Sequence, residues 1–195
     1  MTKSQSARAR LSKEDRRRQL IGIGLRLLVT RPIHEMAIDE VAAEAGISRG
    51  LLFHYFPTKR DYYIAVVRAA GNRLLKHAQA PEAGDSRERV WGIAEGFVGF
   101  VRRRRESYVA LERAAAGGDD RVLQVFADVR DTLVDRVLDA AGERDATALV
   151  RLAVRGWLAM AEEMALEAAD DVTMDRLVEL VVDNLDYAIR RSADR

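Results

Sequence analysis

Arg49, His54, Tyr55 and Lys59 fall in one short stretch that opens with Ser48 and contains Gly50. A guanidinium can fork onto O6 and N7 of guanine or clamp a phosphate, and an ammonium pairs with phosphate. A glycine lets the backbone approach a bulky ligand closely. Carried at the start of one short helix, these groups have the chemistry of a surface that enters the major groove of a duplex. Both roles, base reader and phosphate clamp, fit the position of Arg49. Tyr55 also suits a hydrophobic core, Phe53 is better placed to pack than to contact, and His54 taken alone is an ordinary surface histidine.

Catalytic chemistry finds no comparable set. The chain has no cysteine, so a thiolate metal site, a disulfide framework and a cysteine nucleophile are excluded. None of its three histidines, His34, His54 and His77, has the i,i+4 partner of a two-histidine metal site, and no Glu-x-x-His pair occurs. No glycine-rich phosphate loop is present, and no serine sits in a nucleophile-elbow context. The expectation is a protein that is not an enzyme and needs no metal or other cofactor.

The elements that must position the candidate residues are helices. Alanine, leucine, arginine and glutamate dominate, and only three prolines occur, Pro32, Pro57 and Pro81. Ser12 to Asp15 forms a capping pattern for a helix that Pro32 ends, and Thr58 to Asp61 forms another for a helix reaching about Ala78. Between them, Ile38, Val41, Ala42 and Ala45 make the apolar face of a short helix. Gly46 follows where a left-handed residue lets the chain leave it, Ile47 fills the corner, and Ser48 caps a second helix ending at about Tyr55. Leu51, Leu52 and Phe56 supply that second helix's inner face. A small residue, a glycine turn, an apolar corner and a capped short helix, in this order, describe a helix-turn-helix.

The sequence from Ile38 to Lys59 resembles the DNA-binding signature of the TetR family of bacterial transcriptional regulators. The features that carry the resemblance are Val41-Ala42, Ala45-Gly46-Ile47-Ser48, Gly50 and Tyr55-Phe56-Pro57-Thr58-Lys59 within residues 14–65. It implies DNA contacts from Ser48, Arg49, Gly50, His54, Tyr55 and Lys59. It also implies an all-α fold with a three-helix helix-turn-helix domain and a larger helical domain for ligand binding and dimerisation. Two positions depart from the family pattern: Ala37 replaces a capping threonine, and Phe53 replaces a tyrosine whose hydroxyl would meet the backbone. The expected division is residues 1–60 for the arm and DNA-binding domain and 61–195 for the rest, with a linking helix over about 59–78.

Charge follows this division. The chain of 195 residues has a net charge of +1, yet residues 1–79 carry +8 and residues 80–195 carry −7. A basic N-terminal part joined to an acidic remainder fits a molecule that meets a polyanion at one end. Lys3, Arg8, Arg10, Lys13 and Arg16-Arg17-Arg18 form either a phosphate-tracking arm or a solvated tail. No apolar run is long enough to span a membrane and the start is not a signal peptide, so the expected address is the cytoplasm, with no membrane partner.

Beyond the Ala80–Asp85 linker, helices are expected at about 86–105, 106–116, 120–141, 146–169 and 173–191. The run Arg102 to Arg105 reads as a solvated helix end. The last two helices are apolar over more than one face, which suits burial against a second copy. Leu177, Val181, Asn184, Leu185 and Ala188 are the expected dimer stripe. Trp91, Phe97, Phe100, Tyr108, Phe126, Trp157, Met160 and Met164 are the expected lining of a cavity for a small apolar or amphipathic ligand, with Glu95, Glu112, Arg155 and Glu162 as candidate polar contacts. The function these features imply is a sequence-specific regulator, a ligand-released repressor that binds a two-fold operator in double-stranded DNA as a homodimer. The alternative is an architectural or division-control DNA-binding protein on the same scaffold, with a packed C-terminal core and no inducer.

Overall fold

The computed structural model describes residues 11–27, 36–116 and 118–193. Residues 1–10 of the basic arm, Pro32, His34 and Gly117 lie outside the described residues. The described chain is helical throughout: α1 (Lys13–Leu27), α2 (Ile38–Ala45), α3 (Arg49–Tyr55), α4 (Lys59–His77), α5 (Ser86–Arg103), α6 (Arg105–Ala116), α7 (Asp120–Ala141), α8 (Ala148–Glu167) and α9 (Met174–Ala193).

Local chemistry sets most of these ends. Gly46 takes a left-handed φ of 65°, and the Ile47 N–H returns to the Ala42 carbonyl at 3.0 Å, closing α2. Thr58 and Asp61 satisfy each other's backbone N–H groups at the start of α4, and Asp85 and Glu88 do the same for α5. Thr147 accepts from the Val150 N–H, so α8 begins at Ala148 rather than at Ala146. Ala37 offers no side-chain cap, and α2 starts without one.

The helices enclose two apolar cores. The first joins Leu20 and Ile23 of α1, Val41, Ala42 and Ala45 of α2, Leu52 of α3, and Phe56 to Tyr62, Ile64, Val66 and Val67 of α4. Full burial of a Leu or Ile here is worth about 1.5–3 kcal/mol. Tyr62 is buried to 2% exposure with its O–H donating to the Leu20 carbonyl at 2.8 Å, and the Phe56 ring meets it edge-on. Burial pushes its phenol up. Gly24 makes this seam possible, because a Cβ there would stand 2.5 Å from Val66 Cγ2 and 2.6 Å from the Tyr62 oxygen.

This core does not stop at residue 60. The first half of α4 completes it, and Val122 and Val125 of α7 are buried within it. The second core is formed by α5, α7, α8, α9 and the end of α4. Two helices, α4 and α7, therefore run from one core into the other.

The arginine run is bound rather than solvated. Arg102 donates to the carbonyls of Val172 and Ala169, Arg104 lies over the Phe100 ring at 4.4 Å, and Arg105 pairs with Glu167 at 3.0 Å. Instead of only facing a helix dipole, the run ties the α5–α6 junction to the segment around α8 and α9.

Candidate nucleic-acid interface and ligand cavity

The helix-turn-helix puts one face of α3 inward and leaves the other bare. Leu52 is the one residue of α3 that is fully buried, while Phe53 and Tyr55 are half-buried against the first core. Ser48, Arg49, Gly50, Leu51 and His54 are exposed. Ser48 accepts from the Leu51 N–H at 3.2 Å, which leaves its own O–H free to donate outward. Lys59 is exposed at the first position of α4, immediately after the Thr58 cap. Ser48, Arg49, Gly50, His54 and Lys59 are thus brought onto one end of the molecule, and Tyr55 divides itself between core and surface.

Gly50 has no internal reason to be glycine. An added Cβ would meet nothing nearer than Ser48 Oγ at 3.9 Å, and its φ is not positive. A glycine inside a helix costs about 0.5–1 kcal/mol relative to alanine, so its use here needs an external cause. Close approach to a duplex supplies one. Arg49, with no DNA present, holds Asp39 of α2 at 3.0 Å and stands 5.5 Å from the centre of the Phe53 ring. Both partners are exposed, so the pair is weak and readily exchanged for a base or phosphate.

The adjacent arginines of α1 are partly committed to the fold. Arg16 reaches the Ala45 carbonyl at 3.4 Å, Arg17 lies over the Phe56 ring at 5.1 Å, and Arg18 pairs with Asp15. They hold the helix-turn-helix in place as well as adding positive charge beside it.

A second site lies between α4, α5, α6, α7 and α8, a cavity with about 650 Å³ of empty space, its mouth included. Phe97, Phe100, Tyr108 and Phe126 line it, as do Leu111, Val129, Leu133 and Glu162. The other aromatic and methionine candidates are elsewhere. Trp157 is buried in the α8–α9 seam, where its indole N–H needs an acceptor and finds the Val181 carbonyl at 2.7 Å. Trp91, Met160 and Met164 pack half-buried against the second core, away from the cavity. Sequence reasoning missed Val67, Ala70, Gly71 and Leu74, which give α4 a cavity-facing stripe at helical spacing. Gly71 lets α4 approach α7, since its Cβ would stand 2.6 Å from Val129 Cγ2.

One end of the cavity is polar. Tyr108 donates a short hydrogen bond to Glu162, and Arg130 meets the other oxygen of Glu162 at 3.2 Å. Glu112 hydrogen-bonds to Glu162 as well. Its carboxyl is pushed up to about 6, first by burial and then by the Glu162 charge. Burial also raises the Tyr108 phenol. Of the remaining polar candidates, Arg155 pairs with Asp131 outside the cavity and Glu95 is exposed.

The expected dimer stripe is largely internal. Leu177, Val181 and Leu185 are buried in the chain's own second core, and Asn184 and Ala188 are half-buried. The apolar side chains left outside are Leu149 and Leu152 on α8 and Leu180 and Tyr187 on α9, with exposures of 50–65%. Gly156, on the same bare side of α8, has open space where a Cβ would be. Among the described residues no helix is long and apolar enough to cross a membrane, and no cluster of side chains could hold a metal ion.

Comparison with known proteins agrees with this architecture at both ends. Residues 20–66 match the family model of bacterial regulatory proteins of the tetR family, and residues 86–187 match a Tetracyclin repressor-like C-terminal domain. The chain is 30% identical over 151 residues to the HTH-type transcriptional regulator EthR of Mycobacterium tuberculosis, covering 71% of this chain and 67% of that protein. It is 29% identical over 101 residues to the HTH-type transcriptional activator FasR of Mycolicibacterium smegmatis. That match covers 51% of this chain and 46% of FasR, so it spans about half the length of that relative. A tetR-family transcriptional regulator from Streptomyces coelicolor superposes with a TM-score of 0.81 at 30% identity, covering 94% of this chain and 84% of the other.

Proposed function

The chain belongs to the TetR family of bacterial regulators, and from that premise we propose that it is a sequence-specific DNA-binding transcriptional regulator, a ligand-released repressor acting in the cytoplasm as a homodimer on a two-fold operator. The observation that carries this reading is the bare face of α3, where Ser48, Arg49, Gly50 and His54 stand exposed around a glycine that the fold itself does not require. Groove dimensions fit such a helix, with Arg49 at base edges and Ser48, Tyr55 and Lys59 at phosphates.

A two-fold operator needs two reading heads at a fixed separation. The exposed Leu149, Leu152, Leu180 and Tyr187 give α8 and α9 an apolar face for a second copy, and Gly156 allows close helix approach there. The cavity supports ligand control over the packed core of an architectural protein.

Coupling between cavity and head runs through α4 and α7 together. Val67 and Val125 belong to the first core and also line the cavity, so a ligand that moves these walls moves the head. The ligand lowers operator affinity by its differential binding to the two arrangements, typically about 1–3 kcal/mol.

The test is a selection of bound sequences from random DNA at two salt concentrations. A two-fold symmetric motif is the expected result. Binding with no preferred sequence and a steep salt dependence would leave phosphate contact alone and overturn the regulator reading.

A further inference from the structure

The cavity's polar end is selective in sign. Glu162 reaches it from α8 with a side chain only 12% exposed, and accepts from both Tyr108 and Arg130. Glu112, one turn beyond Tyr108 on α6, adds a second carboxylate to the same cluster. Two carboxylates therefore face one guanidinium. The Tyr108 proton is already given to Glu162, so its oxygen offers lone pairs, and Arg130 has spent one N–H on the same carboxylate. What remains on offer is mostly acceptors, at the closed end of an apolar sleeve.

Resting on the reading of this cavity as the inducer site, we propose that its ligand is a lipophilic amine, bound as the ammonium, with its apolar body among Phe97, Phe100 and Phe126 and its charged head on Glu162 and Glu112. An ammonium brings three donors and one positive charge to a cluster with an excess of both acceptors and negative charge. A carboxylate ligand would have to displace Glu162 from Arg130 and then stand beside two carboxylates. A neutral alcohol fits the sleeve but leaves the charge uncompensated. The upward shift of the Glu112 carboxyl marks the same imbalance, because it reflects a carboxylate charge that Arg130 does not fully offset.

The experiment titrates the full-length protein calorimetrically at neutral pH with phenylbutylamine, phenylbutanol and phenylbutanoate, three molecules sharing one apolar body. Phenylbutylamine is expected to bind about tenfold more tightly than phenylbutanol, the difference between a charge-assisted and a neutral hydrogen bond, and phenylbutanoate weakest. In Glu162→Gln the preference for the amine over the alcohol is expected to disappear while alcohol binding stays. Glu112→Gln, farther from the Arg130 pair, is expected to reduce that preference without removing it. If the alcohol or the carboxylate binds as well as the amine, the amine assignment is overturned and the cavity reading stands. An amine preference that survives in both variants overturns it equally. If none of the three binds, the inducer-site reading fails with it.

Discussion

Arg60, in the first turn of α4, makes a two-point contact with Asp119, the residue that caps α7: its Nε and NH2 stand 2.6 and 2.8 Å from the two carboxylate oxygens. Asp119 simultaneously accepts from the backbone N–H groups of Arg121 and Val122. One carboxylate thus fixes the starts of the two helices that connect head and cavity. At the other end of α4, Arg136 of α7 donates to the carbonyls of Leu75 and Ala78. The two helices are tied to each other near both ends, which suits joint movement better than a single lever.

The Arg60 contact makes a prediction about acid. The Arg60 guanidinium, followed by the backbone N–H groups, holds the Asp119 carboxyl at about 2, below its ordinary 3.8. A depressed carboxylate contributes stability above its unfolded value and loses it as pH falls through its folded value. Wild type should therefore unfold at a higher temperature than Asp119→Asn near neutral pH, and the gap should close between 3.8 and about 2. Thermal unfolding of both proteins across that range checks it. A gap independent of pH would mean that the asparagine had disturbed the cap alone.

Two glycines should behave oppositely. Gly24→Ala drives a Cβ into Val66 and the Tyr62 hydroxyl, so it should destabilise the protein by about 1–3 kcal/mol through overpacking. Gly50→Ala meets open space and should leave stability unchanged or raise it by up to about 1 kcal/mol, yet weaken DNA binding. Chemical denaturation and a DNA titration on the same preparations separate the two. Unchanged DNA affinity in Gly50→Ala would remove the argument for close backbone approach at that position.

For Arg49, the exposed pair with Asp39 is a resting contact that binding must exchange. Arg49→Ala should cost about 1–3 kcal/mol on the selected operator and relax its sequence preference. Lys59→Ala should weaken all sequences alike. Titrations against operator and random DNA compare the losses, and equal losses for Arg49→Ala would place its guanidinium on phosphate.

The helix-turn-helix was legible in the sequence because its geometry is set locally. Gly46, Ser48 and Thr58 act on backbone groups a few residues away, and no distant partner can change what they do. The cavity and the dimer face were less legible for the same physical reason seen in reverse. Apolar periodicity says that Val181 and Leu185 are buried, but not whether α8 of the same chain or a second copy covers them. In the fold the richest stripe of α9 goes to its own core, and the sparser set around Leu180 and Tyr187 is left outside. Trp157 went astray because its size suited a pocket, whereas its N–H dictated a seat beside the Val181 carbonyl. The arginine run failed similarly: the charge was plain, but the carbonyls of Ala169 and Val172 that receive Arg102 are brought to it only by tertiary packing.

That distinction predicts how the two apolar sets respond to charge. Leu152→Glu, at 64% exposure in the single chain, should leave the fold intact and abolish self-association. Val181→Glu, with no exposure at all, should prevent folding, because it buries an unpaired carboxylate. Sedimentation of the first variant and circular dichroism of the second are the measurements. A Leu152→Glu protein that still sediments as a dimer would move the interface off α8.

The carboxylate pair in the cavity leads to a final prediction, opposite in sign to that for Asp119. The Glu112 carboxyl titrates at about 6 in the folded protein, against 4.5 ordinarily, so the folded state binds this proton more tightly than the unfolded chain does. Stability contributed by this group is therefore present below 4.5 and is lost as pH rises through about 6. Glu112→Gln, which keeps a hydrogen bond to Glu162 without the charge, should remove that loss. The unfolding temperature of wild type should fall relative to the variant's as pH rises across this interval, whereas Asp119 has its effect at lower pH and in the other direction. Parallel curves for wild type and Glu112→Gln would show that the pair carries no excess charge, and the argument for a cationic ligand head would lose its electrostatic half.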